Sequence, residues 1–227
     1  LLMKYSPDAD LEALLIAPLD WFNLKVAVLQ KLTGRRDERL PGPEGSLRFG
    51  DLAAMAEAGR YDALPRPLAD ALGTALAARI EAGTSTQAFE LAFDRSRDLA
   101  LLESARRISR GLAARRAESA DLSAAIAFVR AALAGIPWTI ARYAFSGHAD
   151  EARFEELSGL KAAEWPGRLG GVSSPVVREL LAAAASGGDL TDLSAARRRA
   201  MSVRPTPWRY PLPPAEDAQM WLAGKRA

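Results

Sequence analysis

The chain has one histidine, His148, and no cysteine. Disulfides, thiolate metal sites and a His-rich metal centre are therefore excluded, and any Ser-His-Asp chemistry has only His148 to use. That residue follows Gly147 in a loop that opens a helix, a place for a surface or capping histidine rather than for a catalytic or metal-bound one. Carboxylate pairs occur at Asp94/Asp98, Glu155/Glu156, Asp189/Asp192 and Glu216/Asp217. General acid–base work needs such a pair in a dry cleft with separated pKa values. Solvated helix faces account for all four. No DDxxD-like clusters, no Walker loop and no GxGxxG occur, so the chain itself is not expected to hydrolyse nucleotide. The expectation is no catalytic, cofactor-binding or metal residues, and no cofactor.

Arginine clusters stand at Arg106-Arg107, Arg110, Arg115-Arg116 and Arg197-Arg198-Arg199. They suit either a solvated face or contact with an acidic partner or phosphate. Of 30 basic residues only five are Lys, and they face 28 acidic ones, for a net charge of +2. That balance is not a nucleic-acid footprint. Pro207-Trp208-Arg209-Tyr210-Pro211 reads as a packed connection rather than a ligand groove.

These residues need a scaffold, and composition indicates its kind. Alanine (46) and leucine (32) make up about a third of the 227 residues, while aromatics are 7%. Both favour helix, and the pattern argues against a sandwich or barrel. No apolar run approaches the roughly 20 residues that span a bilayer. The start, Leu1-Leu2-Met3-Lys4, has no signal-peptide layout and reads as the interior of a longer protein.

The helical pattern runs in segments. Asp10 to Ala17 is a short run that Pro18 ends. Asp20 to Gly34 follows, with Trp21, Leu24, Val28 and Leu32 on one face and Asp20 placed to accept from first-turn amides. Arg35 to Gly50 is a loop, then come Asp51 to Ala58 and a helix opened by Pro65 and Pro67 that reaches about Ala82. Gly83 to Thr86 caps Gln87 to Arg116, one long helix or two. Asp121 to Gly135, Thr139 to Phe145, Asp150 to Leu160, Pro175 to Ala185, Asp189 to Met201 and Ala215 to Ala223 complete the series. Prolines exclude helix from Arg204 to Pro214.

Asp20…Gly34 recurs as Asp121…Gly135, 101 residues later. Gly45 then pairs with Gly147, Leu52 with Phe154 and Met55 with Leu157, 102 residues apart. A Pro-initiated helix follows in each, at Pro65 or Pro67 and at Pro175, and another helix comes after it. The order predicts two superposable bundles and divides the chain into a first repeat over 1–117, a second over 118–210 and the start of a third over 211–227. Trp21, Leu24, Val28, Ile126, Val129 and Leu133 are the expected inner stripes.

Asp20-Trp21-Phe22-Asn23-Leu24-Lys25, an acidic residue followed by Asn-Leu-Lys at the head of a helix, resembles the recurring signature of the C subunit of V-type (A/V-type) rotary ATPases, whose eukaryotic counterpart is subunit d. Asp121, Arg130-Ala131 and Gly135 resemble its second form, with Ala124 and Ala125 where Asn and Leu belong. Phe89-Glu90-Leu91-Ala92-Phe93-Asp94 is similar to the family's apolar-Glu-x-x-apolar-Asp helix, and Pro211 to Ala227 to the lead-in of a third repeat. The resemblance spans nearly all of this chain but only part of a family member. It implies an all-α, funnel-like arrangement of repeated bundles about a pseudo-threefold axis. It further implies a non-catalytic central-stalk subunit, cytoplasmic and peripheral at the inner face of the cell membrane. Its partners are then the central-shaft subunits of D and F type and the membrane proteolipid ring, with no nucleic acid. Two other classes are an α-helical repeat adaptor, whose copies run about 35–45 residues rather than 101, and an all-α enzyme with convergent acidic groups.

Overall fold

The first described helix takes Pro18 into its first turn instead of starting at Asp20. In the computed structural model, which describes residues 17–35 and 42–186, α1 runs over Ala17–Thr33 and Pro18 is its second residue. The first-turn amides of a helix have no intrahelical partner, so proline costs nothing there. Next come α2 (Phe49–Ala58), α3 (Arg66–Glu81), α4 (Thr86–Ile108), α5 (Arg110–Leu133), α6 (Trp138–Ala141) with a 3-10 turn at Arg142–Phe145, α7 (Glu151–Ser158), a 3-10 segment at Ala162–Gly171, and α8 (Pro175–Ala185). The described residues contain no strand, and none of their helices is long and apolar enough to cross a membrane. The runs expected at 10–16, 189–201, 204–214 and 215–223, and the whole third repeat, lie outside the described residues.

Helix ends follow local chemistry. Gly59 and Gly135 sit at φ 65° and 69°, where a side chain is strained. At each the following amide reaches back to the last turn: Arg60 N–H to Met55 O at 3.1 Å and Ile136 N–H to Ala131 O at 2.8 Å. Ser85 and Ser109 accept from Ala88 N–H (3.2 Å) and Leu112 N–H (3.1 Å). Ser109 is the sole residue between α4 and α5 and is extended at φ −162°. It settles the Gln87–Arg116 run as two helices. The second runs unbroken through Asp121, so the 117/118 boundary falls inside α5.

Two apolar cores result. Trp21, Leu24, Val28, Leu52, Leu72, Phe89 and Phe93 belong to the first, and Phe128, Val129, Phe145, Phe154, Leu157, Trp165 and Leu181 to the second. Both bury the same positions: Trp21 and Leu122, Leu24 and Ala125, Ala27 and Phe128, Val28 and Val129, and then Leu52 and Phe154. The Pro-initiated helices also match, with Leu68, Ala71, Leu72 and Ala75 against Val177, Leu180, Leu181 and Ala184. Sizes trade between the cores. Trp21 packs edge-on to Phe93 at 5.4 Å in the first, whereas Phe128 supplies the bulk in the second, 5.0 Å from Phe154 and 5.1 Å from Trp165. Dense packing requires such compensation.

The inner stripe of α5 ends sooner than its spacing predicts. Val129 is buried, Ile126 is half-buried, and Leu133 is 54% exposed. Leu133 ends α5, two residues before Gly135 turns the chain at φ 69°. Leu24 has no exposed surface, so Leu24→Ala should cost about 2–5 kcal/mol. Leu133→Ala should stay within about 0.5 kcal/mol. Urea unfolding of both variants checks the pair.

Candidate functional site: loop brackets and the charged seam of α4

Among the described residues four polar or charged side chains are buried: Asp20, Asn23, Arg95 and Asp150. Asp20 is 3% exposed and Asn23 has no exposed surface. A buried carboxylate or amide is tolerable only when hydrogen-bonded. Asp20 does not cap its own helix as the sequence suggests. Its Oδ1 accepts from Leu47 N–H (2.9 Å) and its Oδ2 from the Ser46 hydroxyl (2.5 Å). Gly45 passes so close that a Cβ there would run into the carboxylate. One turn on, Asn23 donates through Nδ2 to Pro43 O (3.0 Å) and accepts Gly42 N–H at Oδ1 (2.9 Å). Together the two side chains bracket the backbone of residues 42–47 against α1.

The second bracket uses the corresponding positions. Asp121 Oδ1 lies 3.0 Å from His148 Nε2, and His148 Nδ1 accepts Asp150 N–H at 3.0 Å. The main-chain donor fixes the tautomer, with the proton on Nε2. Both ring nitrogens are engaged, leaving no open lone pair for a base or a metal. The imidazole side chain is 5% exposed, edge-on to Phe145 and Phe154, so this is a buried bracket and not a surface histidine. Asp150 carries the bracket further, its Oδ2 accepting the Ser173 hydroxyl (2.7 Å) and N–H (3.1 Å).

α4 joins the two. Lys25 Nζ meets Asp94 Oδ2 at 2.8 Å and Glu90 Oε2 at 3.8 Å. Arg97 bonds Asp94 at 3.2 Å and Asp98 at 2.9 Å. Arg95, 8% exposed, donates from Nε to Ser146 O at 3.1 Å. Burial lowers its pKa, and Asp98, Asp121 and Glu151 oppose that shift. Burial likewise pushes the Asp98 carboxyl above its ordinary value, with the neighbouring Arg97 pulling the other way.

Chemically, the arrangement aligns helices. Partly exposed ion pairs such as Lys25–Asp94 contribute about 0–1 kcal/mol each, less than one buried core side chain. Asp94 and Asp98 face arginine and lysine rather than each other, and Glu156 pairs with Arg153 and Arg168. Among the described residues no three His, Asp or Glu side chains are grouped to hold a metal ion. Asp189, Asp192, Arg197–Arg199, the Pro207–Pro211 segment, Glu216 and Asp217 lie outside them. Sequence reasoning missed the Lys25–Asp94 tie, which crosses 69 residues. It also missed the role of Ser46, whose only signal was its place after Gly45. The chain matches no protein-family model, no curated protein and no solved structure.

Because the folded carboxyl of Asp98 sits above its unfolded value of about 4, its stabilising contribution is complete below that value. It is lost as pH rises through the raised one. The stability difference between wild type and Asp98→Asn should therefore fall as pH climbs from about 4, measured by urea unfolding across the acid range. A difference that grows with pH would mean that the Arg97 pairing outweighs burial.

Proposed function

We propose that the chain is a non-catalytic rotor piece of a V/A-type proton- or sodium-translocating ATPase, seating the central shaft on the membrane proteolipid ring. The observation that carries this reading is the tie between two motifs of the family resemblance. Lys25 of Asp20-Trp21-Phe22-Asn23-Leu24-Lys25 bonds Asp94 of Phe89-Glu90-Leu91-Ala92-Phe93-Asp94. Asp20 and Asn23 of the same motif hold the loop that follows. Motif residues spent on rigidity suit a body that transmits torque and needs no reactive site.

The matched burial of the two cores supports reading them as copies of one unit. With a third copy, such units enclose a pseudo-threefold, funnel-like opening that receives the shaft tip. The protein then sits on the cytoplasmic side of the membrane, bound peripherally through its ring and shaft partners. Shaft contacts are partly solvated and charge-assisted, so they weaken with salt.

The test is co-purification of the D- and F-type shaft subunits with the full-length protein. They should bind at low ionic strength and release as salt is raised. A folded protein that retains no shaft subunit at low salt would overturn the rotor reading in favour of a helical adaptor.

A further inference from the structure

α4 is longer than α3, the helix before it that it packs against. Its 23 residues span about 35 Å, while the 16 residues of α3 span about 24 Å. Beyond Leu101 in α4 and before Ala120 in α5, neither main core contributes a buried residue. This end of the hairpin has its own small cluster, Leu101 and Ala105 with Ile108, Leu112 and Ala113, drawn from α4 and α5 alone. Among the described residues, this end of the hairpin forms an arm beyond the two main cores.

The arm is strongly basic. Residues 101–118 contain five arginines (Arg106, Arg107, Arg110, Arg115 and Arg116) against Glu103 and Glu118. Arg106 and Arg107 share Glu103, at 3.4 and 3.9 Å. Arg106 and Arg110 are exposed and Arg116 is half-buried. Nowhere else among the described residues do as many cations fall in so short a stretch.

We propose that this arm is a docking surface for an acidic protein face. Every cation on it is arginine, whose planar fork pairs two-point with carboxylates where lysine supplies only a point charge. The net charge of +2 gives no long-range pull on a nucleic acid, and residues 94–127 hold no aromatic platform for its bases. No Trp, Tyr or Phe is present to anchor the arm at a lipid interface, and Leu101, Ile108 and Leu112 pack on one another. This inference holds whether or not the rotor reading does.

The test uses the full chain and a fluorescent decaglutamate peptide, followed by anisotropy at low and high salt. Three proteins are compared with wild type after circular dichroism confirms folding: Arg106→Glu/Arg110→Glu/Arg116→Glu, the milder Arg106→Gln/Arg110→Gln/Arg116→Gln, and Arg48→Glu/Arg66→Glu/Arg168→Glu. The last removes equal charge from exposed pairs outside the arm. Salt-sensitive binding by wild type, weakened about tenfold or more by either arm variant but not by the distant one, supports the proposal. Equal weakening by arm and distant variants would overturn it. So would no peptide binding at low salt, or preferential binding of an RNA duplex or of phosphatidylserine vesicles.

Discussion

A carboxylate removed from water must have its oxygens hydrogen-bonded, and in this protein that requirement organises the chain around α1. Asp20, 3% exposed, satisfies its oxygens with the Leu47 amide and the Ser46 hydroxyl. The loop must therefore return to the first turn of α1, and glycine is needed at 45 to let it pass. Once the loop is fixed, α2 starts at Phe49 and lays Leu52 into the core beside Trp21 and Leu24. At Asp121, whose side chain is 32% exposed, the buried partner is His148, which takes the role of Ser46, and Phe154 takes that of Leu52.

α4 makes one body of the two cores. One side of it supplies Phe89 and Phe93 to the first, while Leu91 packs against the second. Arg95 reaches across to Ser146, and Arg142 meets Glu81 at 2.5 Å to tie the Arg142–Phe145 turn to the end of α3. The ion pairs along this seam are individually weak. Their value is directional, because each is satisfied only when α1, α4 and the 146–150 loop are in register.

Helix positions and most helix ends were legible in the residues, because alanine, leucine, glycine and proline act locally. Gly34, Gly59 and Gly135 close helices where the spacing predicts. Pro18 marks a break in the sequence pattern, but proline is equally at home just after one helix and in the first turn of the next, and α1 holds it in its first turn. Leu133 was misread because periodicity identifies a face without saying where its cover ends. The brackets were legible only in part. Asp20 and Asp121 stood out as helix heads, but their partners lie 26 or 27 residues on, and nothing local names them. Lys25 and Asp94 were each visible within motifs, yet their contact depends on how α4 folds back.

The account's central claim is that the polar motif residues hold the fold. It is tested most directly at Asp20, by hydrogen exchange at the Leu47 amide together with urea unfolding of Asp20→Ala. Removing the carboxylate should speed Leu47 exchange and cost about 1.5–3 kcal/mol, the value of hydrogen bonds to a charged group. Unchanged Leu47 protection with stability within about 0.5 kcal/mol of wild type would contradict the claim.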